Sequence, residues 1–212
     1  MDKIPQTTSL VELFRWRISQ SPHNVAFKFL DKETSYQDFD AAANKVAQGL
    51  IAGGCKPNAR VAYLDKNSYY YFEFVYGTLK SRTVSVAINW RLAAPEVAFV
   101  LNDSESEILF VGPEFYELVK QIENEIPKVR KIVTMADSDG DWESYKAWRD
   151  RQENIDPMLA SEADDDVFLT YTSGTTGLPK GARLTSANIL TAASMVDQTW
   201  CQDWHEGSVN LI

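Results

Sequence analysis

Histidine and cysteine are nearly absent from this sequence. Among 212 residues there are two of each: His23 and His205, Cys55 and Cys201. Two imidazoles so far apart exclude a histidine-rich metal site, and both read as surface polar residues. Two distant cysteines with no C-x-x-C pair exclude a disulfide framework. They read as buried or incidental thiols in a reducing compartment. Excess positive charge is missing too. Thirty acidic residues against twenty-one basic ones leave a net charge of −9, which argues against a nucleic-acid partner held through its phosphates. No run reaches the ~18 apolar residues that a membrane span requires. Met1-Asp2-Lys3-Ile4-Pro5 lacks the basic start, apolar core and cleavage site of a targeting signal, so the expected localisation is cytoplasmic.

What is present suits a packed interior. Hydrophobic residues make up 44% and charged ones 24%, close to the globular average, so wholesale disorder is not expected. Helical and strand-like segments alternate. Ser9-Leu10-Val11-Glu12 matches a capping box, with Leu10, Leu13, Phe14 and Ile18 following at helical spacing. Val25 to Phe29 has strand length. Ser35 precedes a helical pattern of Phe39, Ala43, Val46 and Leu50 that Gly53-Gly54 closes. Strands are predicted at 61–64, 84–88, 108–111 and 132–135. Helices are predicted from Ser68, from Pro95, over 113–124 and over 142–151. The strands are short, apolar and not alternating, which suits a sheet buried on both faces, and the helices supply the crossovers that parallel strands need. The expected fold class is α/β with a mostly parallel sheet flanked by helices. Three segments are expected: an α/β unit over 1–152, an acidic and solvated connector over 153–166, and the start of a second unit over 167–212.

That last segment carries the chemistry. The apolar run Val167-Phe168-Leu169 leads through Thr170-Tyr171 into Thr172-Ser173-Gly174-Thr175-Thr176-Gly177, and then into Leu178-Pro179-Lys180-Gly181. Glycines let backbone amides approach a ligand and form an anion-binding concavity. The hydroxyls of Thr172, Ser173, Thr175 and Thr176 add donors, and Lys180 adds a compact positive charge suited to a phosphate. Walker A does not match, because Lys180 is followed by Gly181 and preceded by Pro179; G-x-G-x-x-G fails at Thr176. A flexible turn rich in Ser and Gly would not call for Lys-Gly after the proline. A polyphosphate is the ligand that fits.

Tyr171-Thr-Ser-Gly-Thr-Thr-Gly-Leu-Pro-Lys-Gly181 resembles the phosphate-loop signature of the adenylate-forming superfamily, which includes acyl-CoA synthetases. Thr34-Ser-Tyr-Gln-Asp-Phe39 is similar to an early family block, and Asn89-Trp90-Arg91-Leu92 with Glu96 is similar to the next. The likeness thus covers nearly the whole chain in order. It implies two half-reactions: a carboxylate attacks the α-phosphate of Mg-ATP to give acyl-AMP and pyrophosphate, and a thiol, usually of coenzyme A, then displaces AMP. It also implies that Thr172, Ser173, Thr175, Thr176 and the amides of Gly174 and Gly177 grip the phosphates. In the same way Thr172 would contact Mg2+, and Lys180 would neutralise phosphate charge as the catalytic cation. Where the family often has L-T-H-x-N, this chain has Leu184-Thr185-Ser186-Ala187-Asn188; the serine reads as structural, with Thr185 or Ser186 as helix cap. Asn89 and Arg91 read as turn-forming residues, and the Tyr69-Tyr70-Tyr71-Phe72 cluster as core and rim rather than a tunnel lining.

The same resemblance places the acid pocket, further nucleotide-binding residues and the adenylation lysine beyond Ile212. The chain therefore reads as the amino-terminal part of a fatty acid–CoA ligase of lipid metabolism, with the fragment alone inactive. Alternatives are a ligase for an aromatic or short-chain acid, an acyl-AMP ligase that loads a carrier protein, or a truncated non-catalytic nucleotide-binding or dimerisation module. If the sheet is incomplete, an exposed apolar face and self-association, as in a homodimer, are expected.

Overall fold

The computed structural model describes Thr7 and residues 9–137, 141–172 and 179–199. Trp200, Cys201, Trp204, His205 and residues 208–212 lie outside the described residues. In chain order the elements are α1 (Leu10–Gln20), β1 (Val25–Phe29), β2 (Lys32–Ser35), α2 (Tyr36–Ala52), β3 (Arg60–Leu64), α3 (Tyr69–Lys80) and β4 (Val84–Ala87). They continue with α4 (Ala94–Asp103), β5 (Ile108–Val111), α5 (Tyr116–Ile122), β6 (Lys131–Thr134), β7 (Glu143–Ser144) and α6 (Tyr145–Asp150). Last come β8 (Asp166–Thr172), β9 (Lys180–Thr185) and α7 (Ser186–Thr199).

Seven strands form one sheet in the order β7-β6-β5-β3-β4-β8-β9. Every neighbouring pair is parallel except β8 and β9. The reason for the unbroken apolar runs is visible in β3 and β5. Val61, Tyr63, Ile108 and Phe110 face one core with α1, α2, α3 and α6. Ala62, Leu64, Leu109 and Val111 face the other, with α4 and α5. Both faces are covered, so no position is left for a polar alternation.

Local signals act where expected. Ser9 Oγ accepts from the Glu12 amide, Ser35 Oγ from the Asp38 amide, and Ser144 Oγ from the Ala147 amide. The Ser9 capping box is only half made, because the Glu12 carboxylate accepts from the Thr7 hydroxyl at 2.6 Å instead of closing back on the cap. At the end of α2, Gly54 takes φ +83° and the Cys55 amide donates to the Leu50 carbonyl, the left-handed turn for which glycine is suited. His23 is exposed and Cys55 buried. Burial pushes the Cys55 thiol up to about 11, so it is inert at neutral pH.

Three expectations change. Val25–Phe29 is a strand, but it pairs antiparallel with β2 in a separate two-stranded hairpin and takes no part in the main sheet. Its turn uses Leu30 at φ +53°, a residue carrying no turn signal. The predicted 142–151 helix starts at Tyr145, because Glu143–Ser144 extend the sheet edge beside β6. Trp142 accordingly packs into one core and Trp148 into the other.

The acidic stretch is not merely solvated. Asp156 accepts a two-pronged bond from Arg15 (2.9 and 2.6 Å) and an ion pair from Lys80; Asp165 accepts both prongs of Arg82; Asp166 accepts from Arg183 at 2.7 Å. Sequence alone cannot show this, since the cations lie 17 to 141 positions away. The stretch is a strap tied to α1, α3 and β9. Across it the sheet continues without a break, with β8 lying parallel to β4.

Helices α2 and α3 touch at Gly77, where an added Cβ would stand 2.3 Å from Val46 Cγ1 and 3.3 Å from the Ala43 carbonyl. Backbone on one side prevents an easy adjustment. Gly77→Ala is expected to destabilise the fold by about 1–3 kcal/mol through overpacking. Chemical denaturation checks this, and Val46→Ala in the same chain should restore part of the loss; an unchanged midpoint in the single variant would refute it.

Candidate active site

The predicted phosphate loop is borne on an antiparallel hairpin. Thr172 is the last residue of β8 and Lys180 the first of β9, and they stand opposite each other in register. Their side chains are exposed. Ser173, Gly174, Thr175, Thr176 and Gly177 lie outside the described residues. Because β8 is parallel to β4, pairing Ala87 with Thr170, the Thr172 end of β8 lies at the carboxyl edge of the parallel strands. In open α/β sheets that edge is where ligands bind.

Two features brace the strand leading into the loop. Tyr171, one residue before Thr172, donates its phenol to Asp103 Oδ2 at 2.6 Å, tying β8 to the end of α4. Burial, and then this bond to a carboxylate, hold the phenol well above its ordinary range, so it stays protonated as the donor. Opposite it, Gly181 has no side chain, and a Cβ there would stand 3.1 Å from Tyr171 Cζ and 3.0 Å from Leu169 Cδ1. Glycine at this position lets the Tyr171 ring lie across β9.

The helix after the hairpin is fixed by the residues read as structural. Thr185 Oγ1 accepts from the Asn188 amide at 3.2 Å, while the Asn188 side chain accepts from the Thr185 amide at 3.1 Å. Ser186 does something the sequence did not suggest. Its Oγ accepts from the Leu10 amide at 2.8 Å, so α7 is docked on the first turn of α1. Asn89 forms a turn as expected, its Oδ1 accepting from the Arg91 amide at 3.0 Å. The Arg91 guanidinium lies 4.0 Å from the Trp90 ring centroid, at the same carboxyl edge. The Tyr69–Phe72 run packs as core and rim. Tyr71 meets Tyr63 and Phe74, Phe72 meets Phe27 and Phe39, and Tyr70 meets Tyr145.

Sequence reading missed two buried ionic groups on α3. Glu73 accepts from the Tyr145 hydroxyl at 2.7 Å and from Arg149 at 2.6 Å. Lys80 is fully buried between Asp40 (2.7 Å) and Asp156. Burial of their helix on nearly every side was the available signal, and α3's continuous apolar content carried it. Glu73 borders a groove of about 330 Å³ between β2, α2 and α6. That groove is built from elements other than the loop-bearing hairpin, and within it Lys45 pairs with Asp150 and Arg149 with Glu73.

Among the described residues no helix is long and apolar enough to cross a membrane. A family model described as "AMP-binding enzyme" matches residues 14–210. The fatty acid–[acyl-carrier-protein] ligase ScoC of Streptomyces coeruleorubidus is 35% identical over 218 residues, covering 100% of this chain and 40% of that protein. The long-chain-fatty-acid–CoA ligase FadD13 of Mycobacterium tuberculosis is 35% identical over 190 residues, 86% of this chain and 36% of that protein. In three dimensions the inhibitor-bound N-terminal domain of FACL13 from Mycobacterium tuberculosis superposes with a TM-score of 0.83 at 32% identity, covering 91% of this chain and 48% of that one. The chain thus spans two-fifths or less of the length of these curated relatives. Its fold is that of the N-terminal domain of such synthetases, and a loop-bearing hairpin stands at the ligand edge of the sheet: the chain belongs to the AMP-binding enzyme family.

Proposed function

We propose that this chain is the phosphate-gripping part of an ATP-dependent ligase that joins a fatty acid to coenzyme A through an acyl-adenylate. The observation that supports this most is the pairing of Thr172 with Lys180 at the carboxyl edge, which sets a hydroxyl and an ammonium at the two ends of a loop rich in backbone amides. In the reaction a carboxylate oxygen forms a bond to the α-phosphorus, and the α–β bridging P–O bond breaks. Pyrophosphate leaves with the electron pair. The loop's task is to hold the β- and γ-phosphates so that this departure needs no reorganisation, with Lys180 offsetting charge on the leaving group. Ser173, Thr175, Thr176 and the amides of Gly174 and Gly177 would share that grip.

Mg2+ would be held at this loop mainly through the phosphates of the nucleotide, with Thr172 as the residue of this chain assigned to it, and would offset phosphate charge there. Thr172 offers one neutral hydroxyl, and among the described residues no group of three or more His, Cys, Asp or Glu side chains is placed to hold a metal ion. The thiol acceptor has a second reading, a carrier protein in place of coenzyme A, favoured by the likeness to a ligase of that kind over the full chain.

Calorimetric titration of the 1–212 chain with ATP tests the reading. Binding is expected, and Lys180→Ala should weaken it about 10- to 100-fold, as loss of a charge-assisted contact does. Because the chain spans so little of its relatives, acid-dependent pyrophosphate–ATP exchange is expected only from a longer protein. Equal ATP affinity in the alanine variant would sink the role given to Lys180.

A further inference from the structure

We propose that Asp166 holds a single structural water in a small cavity where the acidic strap turns into β8. The site is separate from the phosphate loop and does not depend on the ATP reading. Asp166 is the first residue of β8 and stands opposite Thr185 of β9. Its side chain is 4% exposed, and its two oxygens have different surroundings. Oδ2 accepts from Arg183 Nε at 2.7 Å, and the Arg183 side chain is itself exposed. Oδ1 is buried and has no hydrogen-bond partner among the described residues. An ionised carboxylate can only accept, so Oδ1 requires a donor. A buried oxygen left without one opposes folding, and native interiors rarely keep it so.

The donors around it are engaged elsewhere. Asp166 lines a cavity of about 10 Å³ together with Val11 of α1, Arg82 and Thr83 at the α3–β4 corner, Ser161 of the strap and Ser186 of α7. Arg82 Nε and Nη2 donate to the two oxygens of Asp165 at 2.9 and 2.8 Å. The Thr83 hydroxyl lies 3.0 Å from that of Ser81 and 3.4 Å from the Thr78 carbonyl. Ser161 Oγ is 2.5 Å from Ser9 Oγ, and Ser186 Oγ accepts from the Leu10 amide. A hydroxyl can make up to three hydrogen bonds, so Ser161 and Thr83 each keep capacity for a further partner.

A cavity of this size has room for about one water and for no larger ligand. A water there donates to Asp166 Oδ1 and spends its other bonds on Ser161 and Thr83, within the two to four polar partners that a buried water needs. The Arg82 guanidinium lines the same cavity, and its charge works against a metal cation in the water's place. Through Ser161 the bonds run on to Ser9, the N-cap of α1, and through Thr83 to the Thr78 carbonyl of α3. The water thus joins two helices to the foot of β8. Val11, Thr83 and Ser186 are each no more than 2% exposed, so its exchange with bulk is slow.

Oxygen-17 magnetic relaxation dispersion, which counts waters that stay bound for longer than the protein tumbles, tests this on the 1–212 chain. Asp166→Leu keeps nearly the same shape but cannot accept, and should hold about one long-lived water fewer than wild type. Arg183→Ala removes only the outer ion pair and should leave the count unchanged. Thr83→Val withdraws one partner and should shorten the residence time at least about 5-fold, which keeps the test open should the leucine variant not fold. A crystal structure of the wild type should show a peak about 2.6–3.0 Å from Asp166 Oδ1. An equal count in wild type and Asp166→Leu, or an unchanged residence time in Thr83→Val, overturns the proposal. So does a protein donor found on Oδ1, or a peak closer than about 2.4 Å, which marks a metal ion.

Discussion

Lys80→Ala is expected to destabilise the protein by about 3–5 kcal/mol, the loss seen when one member of a buried ion pair is removed. The side chain is 0% exposed, its ammonium lies 2.7 Å from Asp40, and it also pairs with Asp156. The Phe14 ring centroid is 5.7 Å away, so that side of the ammonium is apolar. Without Lys80, Asp40 keeps Asn44 (3.1 Å) as a partner, and Asp156 keeps Arg15 and the Met158 amide. Urea denaturation measures the effect, and a loss below about 1 kcal/mol would count against it. Should the single variant fail to fold, Lys80→Met with Asp156→Asn is the companion. Removing both charges spares the cost of leaving one uncompensated, so the double variant should fold and sit above the single one in stability.

The same cluster has a pH signature. Burial raises the Asp156 carboxyl, but the bonds from Arg15, Lys80 and the Met158 amide outweigh it and hold the group well below its ordinary 3.8. A carboxylate depressed in the folded state contributes stability above its unfolded pKa and loses it as pH falls toward the folded one. The stability difference between wild type and Asp156→Asn should therefore stay level from pH 7 to pH 5 and shrink below 3.8. A difference that grows on acidification would contradict the assignment.

Trp148→Ala carries the second large effect, about 3–5 kcal/mol, from the transfer and cavity losses of a buried indole. The ring is 2% exposed and meets Phe110 edge-on with centroids 5.1 Å apart. It reaches the α2 backbone at Gly49, where an added Cβ would stand 2.6 Å from its Cζ2. Because this ring seats α6, and the Trp148 carbonyl accepts from Gln152 at the head of the strap, the variant should also loosen 152–156. Chemical denaturation, with hydrogen exchange over the strap, reads both. Full protection of 152–156 beside a large global loss would separate the helix from the strap and refute the second part.

Legibility from sequence followed the range of the interactions. The caps at Ser9, Ser35 and Thr185 act within three residues, and each was readable from its own neighbourhood. The β1–β2 hairpin was missed because Leu30 adopts a left-handed conformation without the Asn or Gly that announces one. Ser186 was read as a cap and proved to be a docking point, since its partner Leu10 is 176 positions away. Lys80 and Glu73 carry charges that ordinarily mark a surface, and only their distant partners make burial tolerable.

What the sequence by itself determined is what depends on short range: the α/β alternation, the two-faced burial of the strands, and the Thr172–Lys180 loop whose residue types suit a polyphosphate. Only the tertiary structure decided that the acidic stretch is a tied strap, that β8 and β9 extend the same sheet, and that Arg82, Asp165 and Ser186 meet at the foot of the loop-bearing hairpin. The physical reason is that periodicity and capping are written in residues three or four apart, whereas an ion pair between positions 82 and 165 exists only once the sheet brings them together.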